Sequence, residues 1–137
     1  MTYRRMDPTA DCGIQVFGKD LKALFENAGL ALFDLIADIS LVKSGFEYPI
    51  QVSGSDWPDL MVNWLRELLY FWTGKELLVK EIEVTEILEY QLRARIRFDV
   101  FNAAQHHLNH EIKAVTYHRI QVTNIPSGWD ATVVFDV

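Results

Sequence analysis

"YQLRARIRFDVF", residues 90–101, alternates between apolar and polar or charged side chains. Such a period of two predicts a β-strand with one buried side and one solvent-facing side. We expect the apolar set to be buried, namely Leu92, Ala94, Ile96, Phe98 and Val100. The opposite side carries Gln91, Arg93, Arg95, Arg97 and Asp99.

The preceding stretch, "ELLVKEIEVTEI" at residues 76–87, supplies glutamates to match the three arginines. A tight turn at residues 88–90 brings charges opposite charges and apolar residues opposite apolar residues in a single register. Agreement on both faces favours a β-hairpin over an arginine stripe that binds RNA or an acidic partner. The expected pairs are Arg95–Glu83, Arg97–Glu81, Ile96–Ile82 and Ala94–Val84.

Two segments have the spacing of amphipathic helices. The first runs from Asp20, a typical N-cap residue, to about Asp38. The second begins at Ser55 or Asp56, tolerates Pro58 in its first turn, and ends at residues 73–74. The apolar stripe of the second helix comprises Met61, Trp64, Leu65, Leu68 and Trp72.

The remaining strands complete an α+β pattern. Residues 12–18, 48–54, 112–125 and 129–137 are predicted strands, and "PSG" at 126–128 makes the turn between the last two. The order of strand, helix, strand, helix and then several strands predicts one domain over residues 1–137. We expect an antiparallel or mixed sheet with the two main helices packed on one face.

Composition limits the classes of function. The net charge of −6 disfavours direct, non-specific binding of nucleic acid. One cysteine allows no internal disulfide, which fits a reducing compartment, and neither a signal peptide nor a membrane span is visible. We therefore expect a cytoplasmic protein, whose oligomeric state stays open.

The four histidines all lie between residues 106 and 118. His106 and His110 have the spacing of a zinc-binding helix, but the glutamate of an HExxH site is missing. The flanking residues are typical of a loop. We interpret them as surface-loop histidines and do not expect His106, His107 and His110 to share one ion.

Carboxylates at strand ends offer a second candidate. Asp11 precedes the first long strand, and Asp136 and Val137 end the last one. Oxygen ligands of this kind suit calcium, magnesium or manganese. An aspartate at a strand end is also commonly just solvated, so the residues alone leave both interpretations open.

Four stretches in order along the chain resemble the archease family. They are "DPTADCGIQVFGKDLKALFENAGLALFDLIAD" at 7–38, "NWLRELLYFW" at 63–72, "EIKAVTYH" at 111–118 and "VVFDV" at 133–137. The first is similar to the family's "DHTAD" opening and following helix, although Pro8 stands where the family has histidine. That departure leaves open whether activity is weakened.

The resemblance implies an accessory protein rather than an enzyme. Archeases assist the GTP-dependent RNA-splicing ligase by promoting guanylylation of the ligase and its multiple turnover. The family's metal site falls on Asp11, Asp136 and Val137, and Asp38, Lys113 and His118 become candidates for the partner-binding surface. Two alternatives remain: a divalent-metal-dependent hydrolase using the same carboxylates, and a chaperone-like protein-binding module.

Overall fold

The computed structural model describes residues 3–6 and 12–137. In chain order, the strands and helices there are β1 (Tyr3–Arg5), β2 (Cys12–Gly18), α1 (Leu21–Ile36), β3 (Phe46–Ser53), α2 (Trp57–Thr73), β4 (Leu77–Leu88), β5 (Gln91–Val100), β6 (Ala114–Val115), β7 (Gln121–Ile125) and β8 (Gly128–Asp136). A short 3-10 turn, Ile39–Leu41, follows α1. The α+β prediction is confirmed.

The β4–β5 hairpin has the predicted register, including the pairs Arg95–Glu83 and Ile96–Ile82. Two register shifts, at Val79/Glu81 and Val84/Glu86, bend β4 without disturbing the expected pairs. The predicted burial fails only at the far end of β5. Phe98 is only partly buried, although its ring lies 6.2 Å from that of Phe71 on α2, and Val100 is 53% exposed.

Both helices begin at the predicted caps. The Asp20 carboxylate accepts a 2.8 Å hydrogen bond from the Ala23 amide, and the Asp56 carboxylate does the same for the Asp59 amide. Each bond satisfies an N–H group that has no partner within the helix. Gly74 ends α2 as expected, and of the predicted apolar stripe only Trp72 is not fully buried.

The strands divide between two antiparallel sheets rather than forming one. One sheet has the order β1-β2-β8-β6, with β7 also paired to β8. The other has the order β3-β5-β4. Each helix contacts strands of both sheets, so α1 is buried on nearly all sides, and the main core lies where the helices meet the sheets. Trp64 is central to this core, and its indole N–H donates to the carbonyl of Phe25.

The predicted strand over residues 112–125 is wrong as a single element. It consists of the two-residue β6 and the later β7, separated by a turn at residues 118–119. Arg119 has φ 55°, a left-handed conformation that cannot continue a strand. Period-two counting along a single strand puts Lys113 and His118 on opposite faces, so a surface shared by both requires an irregularity near residues 117–119, and the turn lies there.

Among the residues that the structure describes, no helix is both long and apolar enough to cross a membrane.

Candidate functional site

Strand register gathers three chain segments at one end of the larger sheet. Cys12, the first residue of β2, pairs with Phe135, and Ala114 pairs with Asp136. The start of β2, the start of β6 and the end of β8 are therefore neighbours. A metal site that joins Asp11 to Asp136 and Val137 requires the first long strand to begin where the last one ends, and the register meets this requirement. Asp11 itself lies outside the described residues, as does Pro8.

The end of β8 offers oxygen atoms to solvent. Asp136 is exposed and Val137 is 48% exposed. The main-chain N–H of Lys113 donates to the carbonyl oxygen of Asp136 at 2.8 Å, which anchors the end of β8. Calcium and magnesium prefer carboxylate and main-chain oxygens as ligands, so Asp136 and Val137 carry the type of ligand atom that such an ion requires.

The described residues do not complete a metal site by themselves. Within residues 3–6 and 12–137, no three His, Cys, Asp or Glu side chains are placed to hold one ion. Asp136 and Val137 would need a further ligand, and the one that the sequence proposes, Asp11, lies outside this range.

Asp38 follows the end of α1, whose carbonyls at Leu35 and Ile36 accept hydrogen bonds from the amides of His110 and Asn109, just before residues 111–118. Its carboxylate accepts hydrogen bonds from the hydroxyl and the amide of Ser40, and these bonds lower the pKa of Asp38. Its own amide donates to the carbonyl of His107. Asp38 is thus an exposed residue that remains ionised and caps the 3-10 turn.

Lys113 and His118 are both exposed, but the structure separates them. Lys113 borders a shallow groove with Trp72 and Thr73 at the end of α2. His118 follows Tyr117, whose hydroxyl contacts Asp59 in the first turn of α2. At a rise of ~1.5 Å per residue, these two ends of α2 are about 20 Å apart.

The backbone of residues 106–110, which hold three of the four histidines, caps the C-terminal end of α1. The amides of Asn109 and His110 donate to the carbonyls of Ile36 and Leu35, groups that the end of a helix otherwise leaves without partners. His107 and His110 are exposed, as surface-loop histidines should be.

His106 corrects that interpretation, because it is only 7% exposed. Its Nδ1 accepts from the Asn102 amide at 3.0 Å, so the proton lies on Nε2, which donates to Asp99 at 3.2 Å. The ring also stacks on Phe101. The amide of His106 also donates to the carbonyl of Asn102, which closes a turn over residues 102–106. The spacing of four between Asn102 and His106 is the one indication of this turn in the sequence.

A group that the sequence did not reveal is the Tyr117 clamp, made of Tyr117, Asp59 and Arg66. The Tyr117 hydroxyl donates to Asp59 at 2.6 Å, which lowers the pKa of Asp59 and raises that of Tyr117. The guanidinium of Arg66 lies 4.8 Å from the centre of the Tyr117 ring and donates to the carbonyl of Val115. Tyr117 is far in the sequence from Asp59 and Arg66, which both lie on α2, so only the fold joins it to them.

All three arginines of β5 lie opposite glutamates of β4, and Arg95 and Arg97 form ion pairs with the predicted partners Glu83 and Glu81. Arg95 contacts Glu83 at 3.1 Å and Glu47 at 3.6 Å, and Arg97 contacts Glu47 and Glu81. The ion pairs neutralise most of the stripe. This arrangement gives no support to an open basic groove for RNA.

Comparison with known proteins identifies relatives over the whole length of the chain. The Archease protein family matches residues 3–137. The archease of Methanosarcina barkeri is 34% identical, with 98% of this chain and 95% of that protein aligned. The archease of Pyrococcus furiosus is 32% identical, with 98% of both chains aligned.

Two solved structures share the fold. The solution structure of protein 1598 of Methanobacterium thermoautotrophicum superposes with a TM-score of 0.83 at 29% identity, covering 98% of both chains. A crystal structure of an archease from Thermotoga maritima, described as a possible chaperone, has a TM-score of 0.65 at 18% identity and covers 98% of this chain and 96% of that one. The sequence match over residues 3–137 and the end-to-end relatives above 30% identity show that this chain belongs to the archease family.

Proposed function

We propose that this protein is a cytoplasmic accessory factor of the GTP-dependent RNA-splicing ligase. It docks on the ligase, promotes guanylylation of the ligase's active-site histidine and allows multiple turnovers. Membership of the archease family supports this role, and so does the resemblance of residues 111–118 to that family. The description of the Thermotoga maritima relative as a possible chaperone is consistent with action on another protein.

The proposal includes a divalent cation at the end of β8, held by Asp136, by oxygens of Val137 and by Asp11. Calcium, magnesium and manganese are the candidate ions because the donors are all oxygen. A cation at this exposed end could neutralise phosphate charge at the ligase's nucleotide pocket. The protein itself would carry out no chemistry.

One observation carries the proposal. The hydrogen bond from the Lys113 amide to the Asp136 carbonyl places a residue of the matched block directly beside a proposed metal ligand. Asp38 is also exposed, and it follows the end of α1, which bonds to the amides of Asn109 and His110 just before residues 111–118. Such convergence of exposed polar residues is typical of a binding site.

The decisive experiment measures guanylylation of purified ligase with GTP, with and without this protein. We expect faster guanylylation and repeated turnover when the protein is present, and loss of both effects with Asp11→Ala. If the protein has no effect on the ligase, the proposed function is wrong. Hydrolysis of phosphoesters by the protein alone, abolished by Asp11→Ala, would support the hydrolase alternative. Binding to partner proteins that persists in excess chelator would support the chaperone-like module.

A further inference from the structure

The turn between β6 and β7 is held in a costly conformation. The amide of Ile120 donates to the carbonyl of Tyr117 at 3.2 Å, so residues 117–120 form a β-turn. Arg119 occupies the third position of this turn with φ 55°. Glycine or asparagine usually fills a position with positive φ, because a longer side chain is crowded there.

The chain supports this turn poorly from within. Before the turn, Thr116 is the last residue tied to β8, through its amide and its hydroxyl, which both donate to the carbonyl of Val134. After the turn, β7 pairs with β8 again from Gln121. The amide of His118 donates to the Thr116 hydroxyl at 3.2 Å. Beyond that bond, the turn itself has only the single weak hydrogen bond of Ile120, so its strained form needs contacts from elsewhere.

The Tyr117 clamp supplies such contacts from α2. The Asp59 carboxylate is held independently of Tyr117, because its other oxygen accepts hydrogen bonds from the amide and the hydroxyl of Ser55. Arg66 holds the same segment twice, through the carbonyl of Val115 and through the face of the Tyr117 ring. The raised pKa of Tyr117 means that the hydroxyl stays protonated and keeps donating.

We propose that Tyr117 is a positioning residue whose contacts with Asp59 and Arg66 hold the turn at residues 117–120 in one conformation. The turn then presents His118, its second residue, at a set place beside the first turn of α2. The assignment of His118 to a partner surface rests on the proposed function, but the clamp itself does not. It follows that a partner that touches both Lys113 and His118 must extend along the length of α2.

The clamp is tested by hydrogen exchange at the Ile120 amide, measured by NMR on the full chain. Tyr117→Phe removes only the hydroxyl, and Tyr70→Phe removes the hydroxyl of another exposed tyrosine as a matched control. We expect about tenfold faster exchange at Ile120 in Tyr117→Phe, the effect of losing one hydrogen bond to a charged group. Tyr70→Phe should exchange like the wild type. Unchanged exchange in Tyr117→Phe would overturn the proposal.

A second variant shows whether the clamp acts against strain in the turn. Arg119→Gly, added to Tyr117→Phe, removes the crowding at positive φ and should return the exchange rate of Ile120 toward the wild-type value. If Tyr117→Phe raised the exchange rate of Ile120 by destabilising another part of the protein, glycine at position 119 would not reverse that effect. Failure of the rescue would therefore count against the clamp.

The ligase assay tests the link to His118 separately. If the free protein spends less time in the binding-competent form, Tyr117→Phe needs a higher protein concentration for half-maximal guanylylation but reaches the same maximal rate. Equal half-maximal concentrations for Tyr117→Phe and wild type would overturn the positioning role. A wild-type protein that fails to stimulate the ligase would instead overturn the proposed function, and the exchange experiment would still decide the clamp.

Discussion

The main-chain nitrogen of Lys113 donates to the carbonyl oxygen of Asp136 at 2.8 Å, and this bond ties residues 111–118 to the end of β8. The two residues are remote in the sequence, and antiparallel pairing of β6 with β8 makes them neighbours.

Asp136→Asn should weaken binding of calcium or manganese by at least about tenfold, because it removes a charged ligand while keeping the side-chain shape. Calorimetric titration measures the effect. Asp130→Asn is the matched control, since Asp130 lies on the same strand but toward its other end, where it bonds to Gln15. Neither variant should unfold the protein. Equal cation affinity in the Asp136 variant and the wild type would remove Asp136 from the metal site.

Lys113→Ala should reduce stimulation of ligase guanylylation and leave cation binding unchanged, because the Lys113 backbone, which the variant keeps, is what contacts Asp136. The side chain borders the groove at the end of α2 and is free of any core role. Lys22→Ala, an exposed lysine in the first turn of α1, serves as control. Stimulation equal to that of the wild type would exclude Lys113 from the functional surface.

His106→Ala should lower the free energy of unfolding by ~1–3 kcal/mol, because it leaves the Asn102 amide without its acceptor and opens a space beside Phe101. The exposed His107→Ala should change it by less than about 0.5 kcal/mol. Denaturant titration compares the two. Stoichiometric zinc that is lost on mutating His106 and His110 together would show that these residues bind metal after all.

Stability should depend on pH through the Tyr117 clamp. The folded pKa of Asp59 is lower than its ordinary 3.8, so the contribution of this carboxylate is present above that value and is lost as pH falls through the lowered pKa. The pKa of Tyr117 is raised above 10.0, so its contribution is present below 10.0 and is lost as pH rises through the raised pKa. Asp59→Asn should bring the tyrosinate absorbance transition of Tyr117 back toward 10.0, with Tyr117→Phe identifying the signal. A transition that Asp59→Asn leaves unmoved would contradict the hydrogen bond.

Arg95→Ala should change the free energy of unfolding by only ~0–1 kcal/mol, although Arg95 makes two ion pairs. Its side chain is 55% exposed, so water screens both contacts. The same variant should leave affinity for single-stranded RNA unchanged and weak. Strong RNA binding by the wild type that falls on mutation of Arg95 would reopen the interpretation of β5 as a basic stripe.

Local sequence patterns determined the elements whose partners lie nearby along the chain. The register of β4 and β5 follows from two adjacent segments and a short turn, because shifting it by one residue would move every charge to the wrong face. The start of α1 follows from Asp20, and both ends of α2 follow from Asp56 and Gly74, because these residues act within one turn of the helix. The family could likewise be identified from short motifs alone.

Tertiary structure decided what depends on long-range packing. The spacing of apolar residues reports that a face is buried, but not which element covers it, so the division into two sheets and the exposure of Val100 were not predictable. The sequence does not distinguish His106 from its exposed neighbours, because its contacts with Asp99 and Asn102 exist only in the folded chain. The Tyr117 clamp and the separation of Lys113 from His118 arise because β6 and the following turn run along α2, a relationship between segments some 50 residues apart that no local pattern encodes.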